Sequence, residues 1–266
     1  MTISSIMQSL TDLLKQEQAL GPVQGLDDIH ARQQRRRVIN SQFQQLEEEL
    51  RQLRTQIRSL PALPPLKIIQ WAQSVRAMPN VVFLEVDTTG LHEDAEIIRL
   101  VVMNIHERPL LDCVVKPSQP LSSSITTFTG LTNAEVQASD ISIVDALTQL
   151  RQIVKGEYVL SYNMDFDLGK LREAAQRHHL GEVTIIGEDL MARAMGYFHQ
   201  SSYPKLEALC KQIGQPLPSQ PHQTALDRAK GQIALLNAMA DAVSNHVPLA
   251  NPPGEKADED LDEHPF

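Results

Sequence analysis

Val81-Val82-Phe83-Leu84-Glu85-Val86-Asp87-Thr88-Thr89-Gly90-Leu91 is the stretch on which the reading of this chain turns. Its first half is an apolar run of strand-forming residues, entered through Pro79-Asn80 and left through a Thr-Thr-Gly turn signal, and it reads as a buried β-strand. Alternate residues of a strand share a face and lie roughly 7 Å apart. Glu85 and Asp87 therefore project their carboxylates into one space. Two like charges at the end of a buried strand raise each other's pKa unless a cation sits between them, and a hard divalent ion with oxygen ligands is the usual cation. Taken alone, the pair also fits a strand that surfaces into water at a polar turn, so further ligands have to come from elsewhere in the chain.

Downstream, residues 97–105 and 110–115 read as two more strands, joined through His106-Glu107-Arg108-Pro109 as an antiparallel meander. Residues 123–131 read as a polar loop, followed by helices near 132–138 and 143–154 and a strand at 157–161. Helices are expected at about 166–178, 188–196, 204–213 and 223–244, with a short strand at 183–186. Antiparallel strands followed by alternating strands and helices predict an α/β domain, a mixed sheet flanked by helices.

Upstream, residues 3–20 have helical apolar spacing that ends at Gly21-Pro22. In the next helix Ile39, Phe43, Leu46, Leu50, Leu53, Ile57 and Leu60 form a heptad seam over 39–60, with Glu49 and Arg54 placed to pair across a parallel homodimer. The alternative is a helix lying on its own domain. Arg35-Arg36-Arg37 precedes the seam, and Pro61 to Pro65 breaks the helix before another short one at 66–77. The expected organisation is a helical extension over 1–76, the main domain over 77–245 and a polar acidic tail over 246–266.

With 266 residues and 42% hydrophobic content, the chain has length for one full core plus extensions. Cys113 and Cys210 make neither a metal-ligand spacing nor a disulfide framework, which suits a reducing cytoplasm. No 18-residue apolar run or secretory signal is seen, so no membrane partner is expected. A net charge of -9 argues against clamping a nucleic-acid backbone with a basic surface, though not against holding it through bound metal.

Two later segments answer the first strand. Tyr162-Asn163-Met164-Asp165-Phe166-Asp167 follows the strand at 157–161, and Asp167 would stand on the first turn of the next helix, aimed at the sheet end where ligands collect. Asp165 and Asp167 cannot share a helix face, so one of them is a ligand at most. His222-Gln223-Thr224-Ala225-Leu226-Asp227 opens the long last helix, where an imidazole near pKa 6.5 is suited to deprotonating water beside a metal held by the helix-borne acid. Singly, His222 also reads as a helix cap and Asp227 as a solvated acid.

The order of these segments carries a resemblance. Asn163-x-x-Phe166-Asp167, and His222 followed after four residues by Asp227, resemble the second and third motifs of the DEDDh branch of 3′ to 5′ exonucleases, the DnaQ-like or proofreading group. Thr88-Thr89-Gly90-Leu91 is similar to the tail of its first motif, Glu96-Ile97-Ile98 to the strand after it and Thr129-Gly130-Leu131-Thr132 to a loop element, over about residues 79–242. The resemblance implies an RNase H-like fold in which Glu85, Asp87, Asp167 and Asp227 hold two Mg²⁺ or Mn²⁺ ions and His222 takes a proton from the attacking water. It places Thr88, Thr89, Gly90, Leu91, Asn163 and Phe166 against the 3′-terminal nucleotide, with Leu91 as an apolar wedge. The implied reaction is release of nucleoside monophosphates from the 3′ end of single-stranded DNA.

One departure stands out. The group's first motif reads Asp-x-Glu-Thr, whereas this chain has Glu85-Val86-Asp87-Thr88, with the two acids interchanged. Metal–ligand distances tolerate only about 0.2 Å of error. A catalytically weak or silent exonuclease-fold interaction module is therefore the main rival, and an RNA 3′ exonuclease the second. The chain ends in Asp258-Glu259-Asp260-Leu261-Asp262-Glu263-His264-Pro265-Phe266, which resembles the C-terminal tip of bacterial single-stranded DNA-binding proteins. The resemblance implies a tip read by a partner protein or by a basic patch of the same chain such as Arg35 to Arg37; the plain reading is a solubilising acidic tail.

Overall fold

The computed structural model describes residues 3–60 and 62–242, so the acidic tail and its Pro265-Phe266 tip lie outside the described residues. The chain separates between Ala62 and Leu63 into two compact units.

The first unit is a helical hairpin of α1 (Ile3–Gln18) and α2 (Leu26–Arg58). Ile6 and Leu10 of α1 bury Ile39 of α2 between them, with Leu13 and Leu46 packed alongside. Arg35 meets Glu17 at 2.8 Å and Gln42 donates to Ser9 at 3.0 Å, which fixes the two helices as antiparallel. The heptad seam is thus divided: its first layers close on α1, while Phe43, Leu50, Leu53, Ile57 and Leu60 stay exposed. Within one chain the exposed part of the seam therefore begins at Phe43, since Ile39 is covered by α1. Arg35 and Arg36 are likewise engaged, both with Glu17.

The second unit contains α3 (Leu66–Arg76), β1 (Val81–Thr88), β2 (Ile97–Asn104), β3 (Pro109–Val114), α4 (Ser123–Thr129), α5 (Asn133–Ala138) and α6 (Ile143–Val154). These are followed by β4 (Tyr158–Ser161), α7 (Met164–Arg177), β5 (Ile186–Asp189), α8 (Leu190–Tyr197), α9 (Leu206–Gln212) and α10 (Ala225–Ala240). The strands form one mixed sheet in the order β3-β2-β1-β4-β5, with β1 antiparallel to β2 and parallel to β4. The eight residues of β1 are buried throughout, as the central strand of a sheet covered on both faces must be. Val82, Leu84 and Val86 enter the core shared with α6 and α7, while Val81 and Phe83 enter the core shared with α3, α8, α9 and α10.

Three boundaries differ from the sequence reading. Helix α3 belongs to the second unit: Ala72 and Val75 are buried against α10, and the Trp71 indole donates to Glu188 at 3.1 Å. The domain boundary therefore falls at the Pro-rich break and not near residue 77. The supposed strand at 183–186 starts later, because Val183 and Ile185 pack as side chains on the α6–α7 core and only 186–189 pairs with β4. The supposed polar loop at 123–131 contains α4, capped by the Ser122 hydroxyl, which accepts the Ile125 N–H at 3.4 Å. Among the described residues no helix is long and apolar enough to cross a membrane, and both cysteines are free and buried.

Gly130 ends α4 in the left-handed region at φ 71°, and a Cβ there would stand 3.0 Å from the Gln223 carbonyl oxygen and 3.3 Å from that of Pro221. This closeness seats the end of α4 on the loop that leads into α10. Gly130→Ala is expected to destabilise the protein by more than about 1 kcal/mol, since both the backbone conformation and the contact oppose a side chain; urea denaturation measures it.

Candidate functional site

Glu85 and Asp87 continue the face of β1 that carries Val81 and Phe83, so two carboxylates emerge from an apolar wall beneath α10. What meets them is Arg228. Its Nε lies 3.1 Å from Glu85 Oε2, and one terminal nitrogen donates to Asp87 Oδ1. One turn further along α10, Gln232 donates to Glu85 Oε1 at 2.7 Å and to the Leu84 carbonyl at 3.0 Å. Positions 228 and 232 share one helix face, which explains how both reach the same strand. Arg228 also lies 5.5 Å from the centre of the Phe128 ring. Asp167 reaches the same region from the first turn of α7, where it is buried and accepts the Ser161 hydroxyl from the end of β4.

The structure thus brings Glu85, Asp87 and Asp167 together and leaves Asp227 and His222 apart. Asp227 is the third residue of α10 and closes a capping box: its Oδ2 accepts the Thr224 N–H at 2.9 Å and the Thr224 hydroxyl at 2.7 Å, while its own N–H is accepted by that hydroxyl. His222 is exposed on the preceding loop, its N–H donating to the Ser219 carbonyl at 3.0 Å. In their place Gln223 and Arg228 line the cleft, five positions apart as His222 and Asp227 are, but one residue out of phase. Gln223 is 1% exposed and its amide donates to Glu207 at 3.2 Å. Arg228, Gln223 and Gln232 are the site residues that the sequence reading passed over. The signal that marks them is Thr224-x-x-Asp227, a capping-box pattern that turns Asp227 back to the helix end and brings position 228 round to the sheet.

The cleft encloses about 1240 Å³. Thr88, Gly90 and Leu91 from the turn after β1 line it, with Phe128 of α4, Asn163 and Phe166 at the start of α7, and Lys205 and Lys211. Leu91 is 84% exposed. The Thr88 hydroxyl donates within the turn to the Gly90 carbonyl at 2.7 Å, whereas Thr89 is spent on Glu96, which it meets through both backbone and hydroxyl. Asn163 caps α7 in the left-handed conformation, φ 72°. A single carboxylate, Asp189, accepts the N–H groups of Asn163 and Met164 at the start of α7 and of Met191 and Ala192 at the start of α8.

The two divalent ions implied by the resemblance do not fit this arrangement. A hard cation needs six or so oxygen ligands. Three of the four carboxylate oxygens on β1 already accept from Arg228 or Gln232, and only Asp87 Oδ2 is buried without a partner. A fixed positive charge stands among them. Among the described residues, no three His, Cys, Asp or Glu side chains are gathered in a way that would hold a metal ion.

Burial sets the electrostatics. It pushes the carboxyl pKa values of Glu85 and Asp87 above the ordinary range, against the attraction of Arg228 and, for Asp87, a weaker one from Arg99. Asp167 is raised well above, by burial first and then by repulsion from Glu85. Arg228 is held above its usual value, because attraction to Glu85 and Asp87 outweighs the cost of its own burial.

A central strand with carboxylates at its end, an acid opening the helix after the parallel neighbour, and a long closing helix over the strand define the RNase H-like fold of DnaQ-like, DEDDh exonucleases. The nuclease domain of 3'hExo, a DEDDh family member solved with rAMP, has this architecture: TM-score 0.50 at 18% identity, over 62% of this chain and 94% of that one. Product-bound exonuclease I gives a TM-score of 0.49 at 16% identity, over 61% of this chain and 45% of that one. In sequence, the PolC-type DNA polymerase III of Streptococcus thermophilus is 27% identical over 139 residues, 50% of this chain and 9% of that protein. That of Bacillus subtilis is 26% identical over 173 residues, 62% of this chain and 12% of that protein. The chain spans about a tenth of the length of these curated relatives. No family model matches it.

Arg228→Ala is expected to cost about 3–5 kcal/mol of stability, because it strands two buried carboxylates, whereas Asp227→Ala removes only a cap and costs about 1 kcal/mol. Chemical denaturation of both variants checks the ranking. Asp167 supplies a pH signature. Its folded-state pKa is raised, so the folded chain binds the proton more tightly, and the stabilisation it gives is complete below the unfolded carboxylate value of about 4 and lost as pH climbs through the raised value. Asp167→Asn should therefore gain stability over the natural protein as pH rises from about 4 towards neutrality, which urea melts along a pH series would measure.

Proposed function

We propose that this chain recognises the 3′ end of a single-stranded DNA in the cleft above Glu85, Asp87 and Asp167, and holds that end without hydrolysing it. The observation that carries the reading is Arg228 ion-paired to Glu85 and Asp87, at the place where the exonuclease resemblance calls for metal. Recognition of an end is supported by the kept Thr88 to Leu91 turn and by the exposed Leu91, with Phe128 and Phe166 as ring faces for a base and Lys205 and Lys211 as charges for phosphates. A solved neighbour of the same fold holds rAMP, a single nucleotide. The rival reading, a metal-dependent exonuclease releasing nucleoside monophosphates, draws on the convergence of three acids; it requires Arg228 to withdraw.

A 5′-labelled single strand with a free 3′ end, the same strand circularised and an RNA of the same sequence distinguish these readings. The linear DNA is expected to raise the fluorescence anisotropy and to stay full length in Mg²⁺ or Mn²⁺, while the circle binds weakly. A metal-dependent ladder of shortened products would establish the hydrolase reading instead. Equal binding of linear and circular strands would remove end recognition, and preference for the RNA would change the substrate.

A further inference from the structure

We propose that the guanidinium of Arg228 is the resident cation of this cleft, supplying by covalent attachment the positive charge that divalent ions bring to a metal-charged site, so that the protein engages its ligand with no metal requirement. The ligand rests on the end-binding reading above; the cation rests on the phase of α10.

The third motif, as the sequence presents it, places His222 and Asp227 five positions apart, and the structure turns a pair of the same spacing, Gln223 and Arg228, into the cleft. A slip of one residue rotates a helix position by about 100°. The capping box fixes that rotation: the N-cap is Thr224 and the N3 acid is Asp227, so position 228 and not 227 faces β1. The result is a reversal of charge at the third-motif acid and loss of ionisation at the third-motif histidine. A carboxamide has no lone pair basic enough to take a proton from water near neutral pH, and a guanidinium stays charged at any pH a protein survives. Arg228 is buried at 7% exposure and bridges both acids of β1, and Gln232 takes the remaining oxygen of Glu85. The interchange of Glu85 and Asp87 fits the same account. A guanidinium presents a fork of N–H donors to carboxylates instead of demanding a fixed ligand shell, so it accepts one acid longer and one shorter by a methylene.

The test uses the full chain and Mn²⁺ as the probe, read by electron paramagnetic resonance of the free ion. The natural protein is expected to take up no Mn²⁺ in the cleft, and its affinity for the linear strand is expected to be unchanged by EDTA. Gln223→His combined with Arg228→Asp puts an acid and an imidazole back in phase, and is expected to strengthen Mn²⁺ binding by about tenfold or more. Four gathered carboxylates without a cation can unfold the chain, so the double variant is also purified in Mn²⁺, and the titration of the natural protein decides by itself if the variant does not fold. Uptake of Mn²⁺ by the natural protein that disappears in Asp167→Asn would overturn the proposal. So would strand binding lost in EDTA, or a folded double variant that ignores Mn²⁺. Failure of the natural protein to bind any strand would instead remove the end-binding reading, while the Mn²⁺ titration still decides the role of Arg228.

Discussion

The pairing of Arg228 with Glu85 and Asp87 joins α10 to the middle of the sheet through charges that have left water. Taking a carboxylate out of water costs several kcal/mol, and in a poorly screened interior the attraction of a neighbouring cation has to return most of it. β1 cannot avoid that cost, since its eight residues are buried from end to end and two of them are acids. A cation there offsets that cost, where the alternative would be for the acids to keep their protons. Once a guanidinium supplies it, α10 must be held in one rotation, and the residues around the pair serve that end: the Thr224–Asp227 capping box sets the first turn, Gln232 ties the next turn to the Leu84 carbonyl, and Phe128 lies against the guanidinium. Asp167 is left with little compensation beyond the Ser161 hydroxyl, which is why its carboxyl resists ionisation most.

The same contact separates fold from chemistry. The mixed sheet with helices on both faces is the RNase H-like architecture shared with the 3'hExo nuclease domain, and it stands together with an arginine paired to the acids of β1. The apolar run of β1 and the helix packing on both faces depend on shape and hydrophobicity. The reaction depends on a few charges of definite sign. A fold can therefore persist while the charges at its site differ, so function has to be argued from the site.

Much of the architecture was legible in the residues. The division of Val82, Leu84 and Val86 from Val81 and Phe83 between two cores follows from a buried strand, and the convergence of Asp167 on Glu85 and Asp87 follows from an acid placed just after a strand. Two things were not legible by the same means. The polar look of 123–131 hid α4, because a two-turn helix shows too few apolar positions to establish a period, and its burial comes from Thr129 and Ile125 in a tertiary setting. Spacing alone does not fix the phase of the third motif: His222 and Asp227 have the separation of the resemblance, while Thr224-x-x-Asp227 gives that acid a backbone N–H to accept. Local hydrogen bonding decided which face Asp227 took, and the motif had no say in it.

Asp189 adds a dynamic consequence. One carboxylate collects four backbone N–H groups, two opening α7 and two opening α8. The α7 turn carries Asn163, Phe166 and Asp167 into the cleft, and α8 follows directly on the edge strand β5. Both helix starts depend on that one carboxylate, so a movement of Asp189 would uncap α7 and α8 together, whereas fraying of either start alone leaves the other its acceptor. The floor of the cleft is thereby tied to the edge strand β5 through a single side chain.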